Sequence, residues 1–134
     1  MPGSPITLSS PPDVAPSPTY EHAARAGDFV HVAGQVARDA SGAWVGGDDA
    51  GAQAEQVYRN LGRILEHVGA GPRDVVKITT LLVDRADRDA VTAARLAFFG
   101  DHRPPHTGMI VAGLGGAEVK VEVEVIAYLP RAGA

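Results

Sequence analysis

The chain has 134 residues, 45% of them hydrophobic and 21% charged, with a formal net charge of −4 and no cysteine. This length implies a single domain able to bury a core, and the lack of cysteine excludes disulfides, thiolate metal sites and a cysteine nucleophile. Only two lysines are present and the arginines are scattered, so there is no basic stripe to follow a phosphate backbone, and nucleic acid is not an expected partner.

No apolar run approaches the roughly 18 residues of a spanning helix, and Met1-Pro2-Gly3-Ser4-Pro5 lacks the charged and apolar regions of a signal peptide. The expectation is a cytoplasmic protein with no membrane partner. Aromatic residues make up only 5% while glycines number 16, which points to small-residue packing, many turns and a core that invites oligomerisation.

Residues 1–18 carry six prolines and read as an extended arm, with Ile6-Thr7-Leu8 as at most a short edge strand; residues 19–134 form the domain. After the turn at Gly27-Asp28, Phe29 to Val36 reads as a strand interrupted by Gly34, where a bulge or close backbone approach is expected. Ala40-Ser41-Gly42 is a turn, and Ala43-Trp44-Val45 is a candidate return strand with Trp44 as a local packing anchor. Asp48-Asp49 opens a helix whose Ala54, Val57, Leu61, Ile64, Leu65 and Val68 share one face, stopped by Gly69.

Asp74 to Val83 is so apolar and β-branched that a central strand covered on both faces is expected. A second helix spans about 87–99, with Ala90, Val91, Ala94 and Phe98 on one side and Gly100 past its end. Two last strands, about 108–113 and 118–129, turn at Gly113-Leu114-Gly115-Gly116. Together these elements predict an α+β fold, a mixed sheet with two helices packed on one face.

Alternation in the final strand sends Val119, Val121, Val123 and Val125 to one side, toward the helices, and Lys120, Glu122 and Glu124 to the other. Phe29 and Ile126 share that second side with His31, and a purely solvated face does not explain them, so a partly polar subunit interface is expected. The prolines of Arg103-Pro104-Pro105-His106-Thr107-Gly108 stiffen the entry to a strand and present His106 at a defined place, where a carboxylate of the next strand could face it.

Several segments, in their order and spacing, are similar to the RidA/YjgF family. They are Tyr20 ahead of a strand, Val32-Ala33-Gly34-Gln35, Asn60-Leu61, Gly69-Ala70, Asp74-Val75-Val76-Lys77, Phe98-Phe99-Gly100-Asp101-His102 and Val121-Glu122-Val123-Glu124-Val125-Ile126-Ala127. The resemblance covers nearly the whole chain. It implies a chorismate-mutase-like fold, a homotrimer with small-molecule clefts between subunits, and cofactor-free hydrolysis of reactive imines or enamines to keto acids and ammonia.

The resemblance also assigns site residues. Glu122 matches a glutamate that orients water, Tyr20 a tyrosine bordering the substrate, and Gly34, Thr107 and Gly108 positions where the cleft is lined by the chain. His106 stands where the family's deaminases carry an arginine that grips the substrate carboxylate. A neutral imidazole offers one donor and one acceptor in place of a charged planar fork, so the usual imino acid is expected to bind less well. Arg103, and less readily Arg95, could supply a replacement guanidinium; the plain reading of both is surface arginine.

His106 exchanges protons around neutrality, its ordinary pKa being about 6.5, and is the expected acid–base partner of Glu122. His22, His31, His67 and His102 show no metal-ligand spacing, and no metal is expected. GxGxxG, P-loop and GxSxG signatures are missing, which removes nucleotide and α/β-hydrolase readings at the level of motif. A non-catalytic ligand- or partner-binding trimer is the alternative function, and a ribonuclease or translation inhibitor ranks last because the chain is acidic.

Overall fold

A computed structural model describes residues 5–131. Its six strands are β1 (Ile6–Ser9), β2 (Ala23–Ala26), β3 (Phe29–Gln35), β4 (Val75–Leu82), β5 (His106–Ile110) and β6 (Val121–Tyr128), and its two helices are α1 (Ala50–His67) and α2 (Arg88–Phe99). The strands form one sheet in the order β1-β2-β3-β6-β4-β5. β4 and β5 run parallel and all other neighbours antiparallel, so the sheet is mixed, with both helices on one face as expected.

α1 starts where the Asp49 carboxylate accepts the Ala52 amide at 3.1 Å, an N-cap that satisfies one of the unpaired amides of the first turn. Its predicted stripe holds: Ala54, Val57, Leu61, Ile64 and Leu65 are buried against Val30, Val32, Val121, Val123 and Val125 of the sheet, with Val68 packed at the margin. In α2 the buried residues are Val91 and Phe99, while Ala94 and Phe98 pack from the side and Ala90 is exposed. Phe98 lies over Gly62 of α1, where a side chain would push it away.

Four expectations need correction. β2 was not foreseen, because Ala23-Ala24-Arg25-Ala26 has neither β-branched residues nor alternation; its pairing with β1 and β3 makes it a strand. Ala43–Val45 is not a strand but a single bridge, Arg38 to Trp44, with the Arg38 guanidinium 4.1 Å above the indole. The last two strands are not a hairpin: β4 lies between them, and β5 pairs in parallel at the edge. β4 is flanked by strands on both sides, but only Val75, Ile78, Thr80 and Leu82 are buried, and Val76 is 41% exposed.

Residues 1–4 of the expected arm lie outside the described residues; the remainder of the arm is tied into the fold. β1 is an edge strand as expected, Val14 is buried in the core, and Ser10 and Ala15 bond to His22. Among the described residues no helix is long and apolar enough to cross a membrane.

Candidate functional site

The alternation of β6 gives the sheet two chemically different faces. Val121, Val123, Val125 and Ala127 point to the helices, while Glu122, Glu124, Ile126 and Tyr128 point to the open face. The register brings Phe29 beside Tyr128 and His31 beside Ile126 on that open face, and the two aromatic rings stack with centroids 5.4 Å apart.

At one end of the open face Glu122 leans over Gly34, where β3 changes register. A methyl group at Gly34 would run into the carboxylate oxygen of Glu122, so the close approach requires glycine. Partial burial, and then the charge of Glu124, push the Glu122 carboxyl above the usual carboxylate range. Among the described residues no hydrogen bond or ion pair compensates that charge.

Glu122 and Gly34 belong to a groove of about 610 Å³ that also includes Tyr20, His22, Trp44 and Glu118. Tyr20 is 52% exposed and meets the edge of the His22 ring at 5.8 Å. His22 is buried and neutral. Its Nε2 donates to the Ala15 carbonyl at 2.8 Å, so the proton is on Nε2, and Nδ1 accepts from Gln35 at 3.0 Å. Asn60, on α1, donates to the Val36 and Arg38 carbonyls at 3.2 and 2.9 Å and accepts from Gln56 at 2.9 Å, holding the chain segment beside the groove.

His106 occupies the opposite side of the sheet. Its β5 register pairs it with Ile78, and its Nε2 lies 2.9 Å from the Thr80 hydroxyl, on the helix side. There the Arg95 guanidinium of α2 reaches the same Nε2 at 2.7 Å. A guanidinium can only donate, so Nε2 is the acceptor and His106 is neutral with its proton on Nδ1. Partial enclosure under α2, then the charges of Arg95 and Lys77, hold its pKa below the ordinary value. These residues belong to a second pocket of about 300 Å³ that includes Gly108.

The predicted site residues are therefore divided. Glu122, Tyr20 and Gly34 come together in the first groove, and His106 and Gly108 in the second pocket. Thr107 points to the open face, where its hydroxyl accepts from Lys77. No carboxylate of the next strand faces His106 within one chain, because the valine side of β6 shares its face. The two candidate arginines also change places. Arg103 folds back onto the carbonyls of Gly100 and His102, and Arg95, ranked second from the sequence, is the one that reaches His106.

Sequence reasoning missed His22, Gln35 and Asn60. Asn60 had a readable signal, since it stands on the apolar stripe between Val57 and Ile64, where a buried amide requires partners. His22 had none, because its partners are brought by chain segments that pair only in the folded molecule.

Comparison with known proteins decides the family. A family model described as Endoribonuclease L-PSP matches residues 11–129. The chain belongs to this family, the RidA/YjgF family. The RutC family protein of Pyrococcus abyssi is 33% identical over 123 residues, 92% of this chain and 94% of that protein. The 2-iminobutanoate/2-iminopropanoate deaminase of Mus musculus is 31% identical over 121 residues, 90% of this chain and 87% of that one. The crystal structure of RidA from an Antarctic Psychrobacter superposes with a TM-score of 0.85 at 29% identity, covering 92% of this chain and 99% of that chain. The RidA-type fold, with its mixed sheet and two helices, is thus shared along nearly the full length.

Two expected results test this geometry. Gly34→Ala is expected to lower turnover about 10–100-fold by displacing the Glu122 carboxylate, with little change in melting temperature, because the clash is with the end of a flexible side chain. The second concerns pH. The folded state binds a proton at His106 less readily than the unfolded chain does, so its contribution to stability is present above about pH 6.5 and is lost as pH falls through the folded pKa. His106→Gln should remove that component, seen as a smaller difference in melting temperature between pH 7.5 and pH 5 than in the unaltered protein.

Proposed function

We propose that this RidA-family protein is a cofactor-free hydrolase of small imines or enamines, acting as a homotrimer of the cytoplasm with its clefts between subunits. The observation that carries the reading is the Glu122 carboxylate, uncompensated and raised in pKa, held over Gly34 in a groove bordered by Tyr20.

A carboxylate in that state orients a water molecule and takes its proton as the oxygen adds to the imine carbon. The nitrogen is protonated, the carbon–nitrogen bond of the tetrahedral adduct breaks, and ammonia and a ketone leave; one water is consumed for each C=N bond. Tyr20 borders the ligand, and the backbone of Gly34 lets it approach closely.

The division of the site supports an assembly with clefts between subunits, for which the trimer is the proposed form. Glu122 and His106 lie on opposite faces of one sheet, so a ligand touching both needs the second pocket from a neighbouring copy. Phe29, Tyr128 and Ile126 on the open face supply apolar surface for that contact. The second wall then consists of His106 and Gly108, with Thr107 on the other face of β5. His106 is neutral and already bonded to Arg95, so it acts as a hydrogen-bonding wall rather than an acid, and specificity differs from that of an arginine-bearing deaminase.

The test is ammonia release from 2-iminobutanoate generated in situ, with the oligomer's mass measured by light scattering. Turnover that disappears in Glu122→Gln, at a mass near three times 13.9 kDa, is the expected result. No acceleration across a panel of imino acids would leave a binding protein. RNA cleavage that needs Glu122 would replace the reading with a ribonuclease. A rate on 2-iminobutanoate equal to that of the mouse deaminase would overturn the altered specificity.

A further inference from the structure

The second pocket has a charge balance that a hydrogen-bonding wall does not require. Arg85, Arg88 and Arg95 all line it, together with His106 and Thr80, and no aspartate or glutamate is among its lining residues. Among the described residues the ion pairs are Arg63 with Asp13 and Arg73 with Asp101, so none of the three lining arginines has a carboxylate partner.

Arg95 spends one N–H on His106 and, among the described residues, makes no other hydrogen bond. The remaining donors of its fork are unspent. His106, itself bonded to Thr80, orients the guanidinium from one side before any ligand arrives. The Tyr58 hydroxyl, close enough to feel Arg95 and Thr80, is buried, and burial raises its pKa. The local environment is thus a set of cations and neutral donors with no anion of its own.

We propose that this pocket binds a doubly charged oxyanion of a small metabolite, a dicarboxylate or a phosphomonoester, with Arg95 as its principal contact and Arg85 and Arg88 completing the charge. Guanidinium forks match the paired oxygens of carboxylate and phosphate, and their weaker hydration lowers the cost of desolvation. Three cations facing no carboxylate suit two negative charges better than one. A volume of about 300 Å³ admits a molecule of a few carbons. The inference stands on the pocket of a single chain and rests on the proposed function only in assigning this anion to the hydrolase's substrate.

Isothermal titration of the full-length protein at constant ionic strength and pH 7.5 tests it, using succinate, inorganic phosphate, the monoanion 2-oxobutanoate and the neutral butan-2-one. At least one dianion should bind about fivefold or more tightly than 2-oxobutanoate, with butan-2-one weakest. Succinate above phosphate identifies a dicarboxylate, and the reverse a phosphomonoester. Arg95→Met should weaken the dianion about ten- to hundredfold, and Arg95→Lys, which keeps charge but loses the fork, by less. Arg73→Met, at an exposed pair away from the pocket, serves as the unchanged control.

Dianion binding no tighter than 2-oxobutanoate, or affinity within twofold in both Arg95 variants, would overturn the proposal. Anion binding that depends on Arg95 in a protein without imine turnover would remove the hydrolase reading and leave this one. Turnover without that dependence would do the opposite.

Discussion

Glu122→Gln is expected to lower imine turnover by about 10²–10⁴-fold, the range removed with a positioned general base, while leaving the fold intact. Gln keeps the shape of the side chain over Gly34 but cannot take a proton from water. The same variant should melt at a higher temperature than the parent at neutral pH. Burial and Glu124 raise the folded-state pKa above the ordinary value, so the folded chain holds this proton more tightly than the unfolded chain. The resulting stability is present below about pH 4.5 and is lost as pH rises through the folded pKa, which leaves an unfavourable carboxylate at pH 7. Gln removes that cost. Loss of turnover with a gain in stability is the signature of a strained functional group; loss of both would mean that Glu122 is a structural residue. Ammonia release and thermal melting between pH 4 and pH 8 measure the two effects.

Asn60→Ala is expected to destabilise the fold by about 2–4 kcal/mol, seen as a lower midpoint in urea at fixed protein concentration with an unchanged slope. Asn60 is 2% exposed, and its amide serves two backbone carbonyls, those of Val36 and Arg38. Truncation leaves the Val36 carbonyl with only the Arg38 amide at 2.8 Å, leaves the Arg38 carbonyl with only the longer Gln56 contact at 3.4 Å, and takes the acceptor from Gln56. Three lost buried hydrogen bonds, at about 0.5–1.5 kcal/mol each, exceed the small helix-propensity gain of alanine. These carbonyls belong to the segment beside the Glu122 groove, so a loosened segment should also weaken ligand binding. A change of less than about 0.5 kcal/mol would show that water replaces the amide without loss.

Several elements were legible from sequence because their causes are local. The α1 stripe, the Asp49 start, the valine alternation of β6 and the glycine after each helix depend on residues a few positions apart, and all appear within a residue or two of where periodicity places them. The close approach at Gly34 was legible for the same reason, since an interrupted strand needs a residue without a side chain. β2 was not legible, because its four residues become a strand only through their neighbours.

For the site, side-chain alternation determined that Glu122 leaves the core and points to the open face, and composition determined an acidic chain with few lysines and no thiols. Tertiary structure alone decided the partner of His106. The expectation of a facing carboxylate assumed that β5 and β6 pair as a hairpin. Placing β4 between them turns His106 toward α2, where Arg95, eleven residues earlier in the chain, meets it. Local periodicity records which face a side chain takes relative to its own neighbours; it carries no information on which strand lies alongside, because that choice is made by the burial of distant segments against one another.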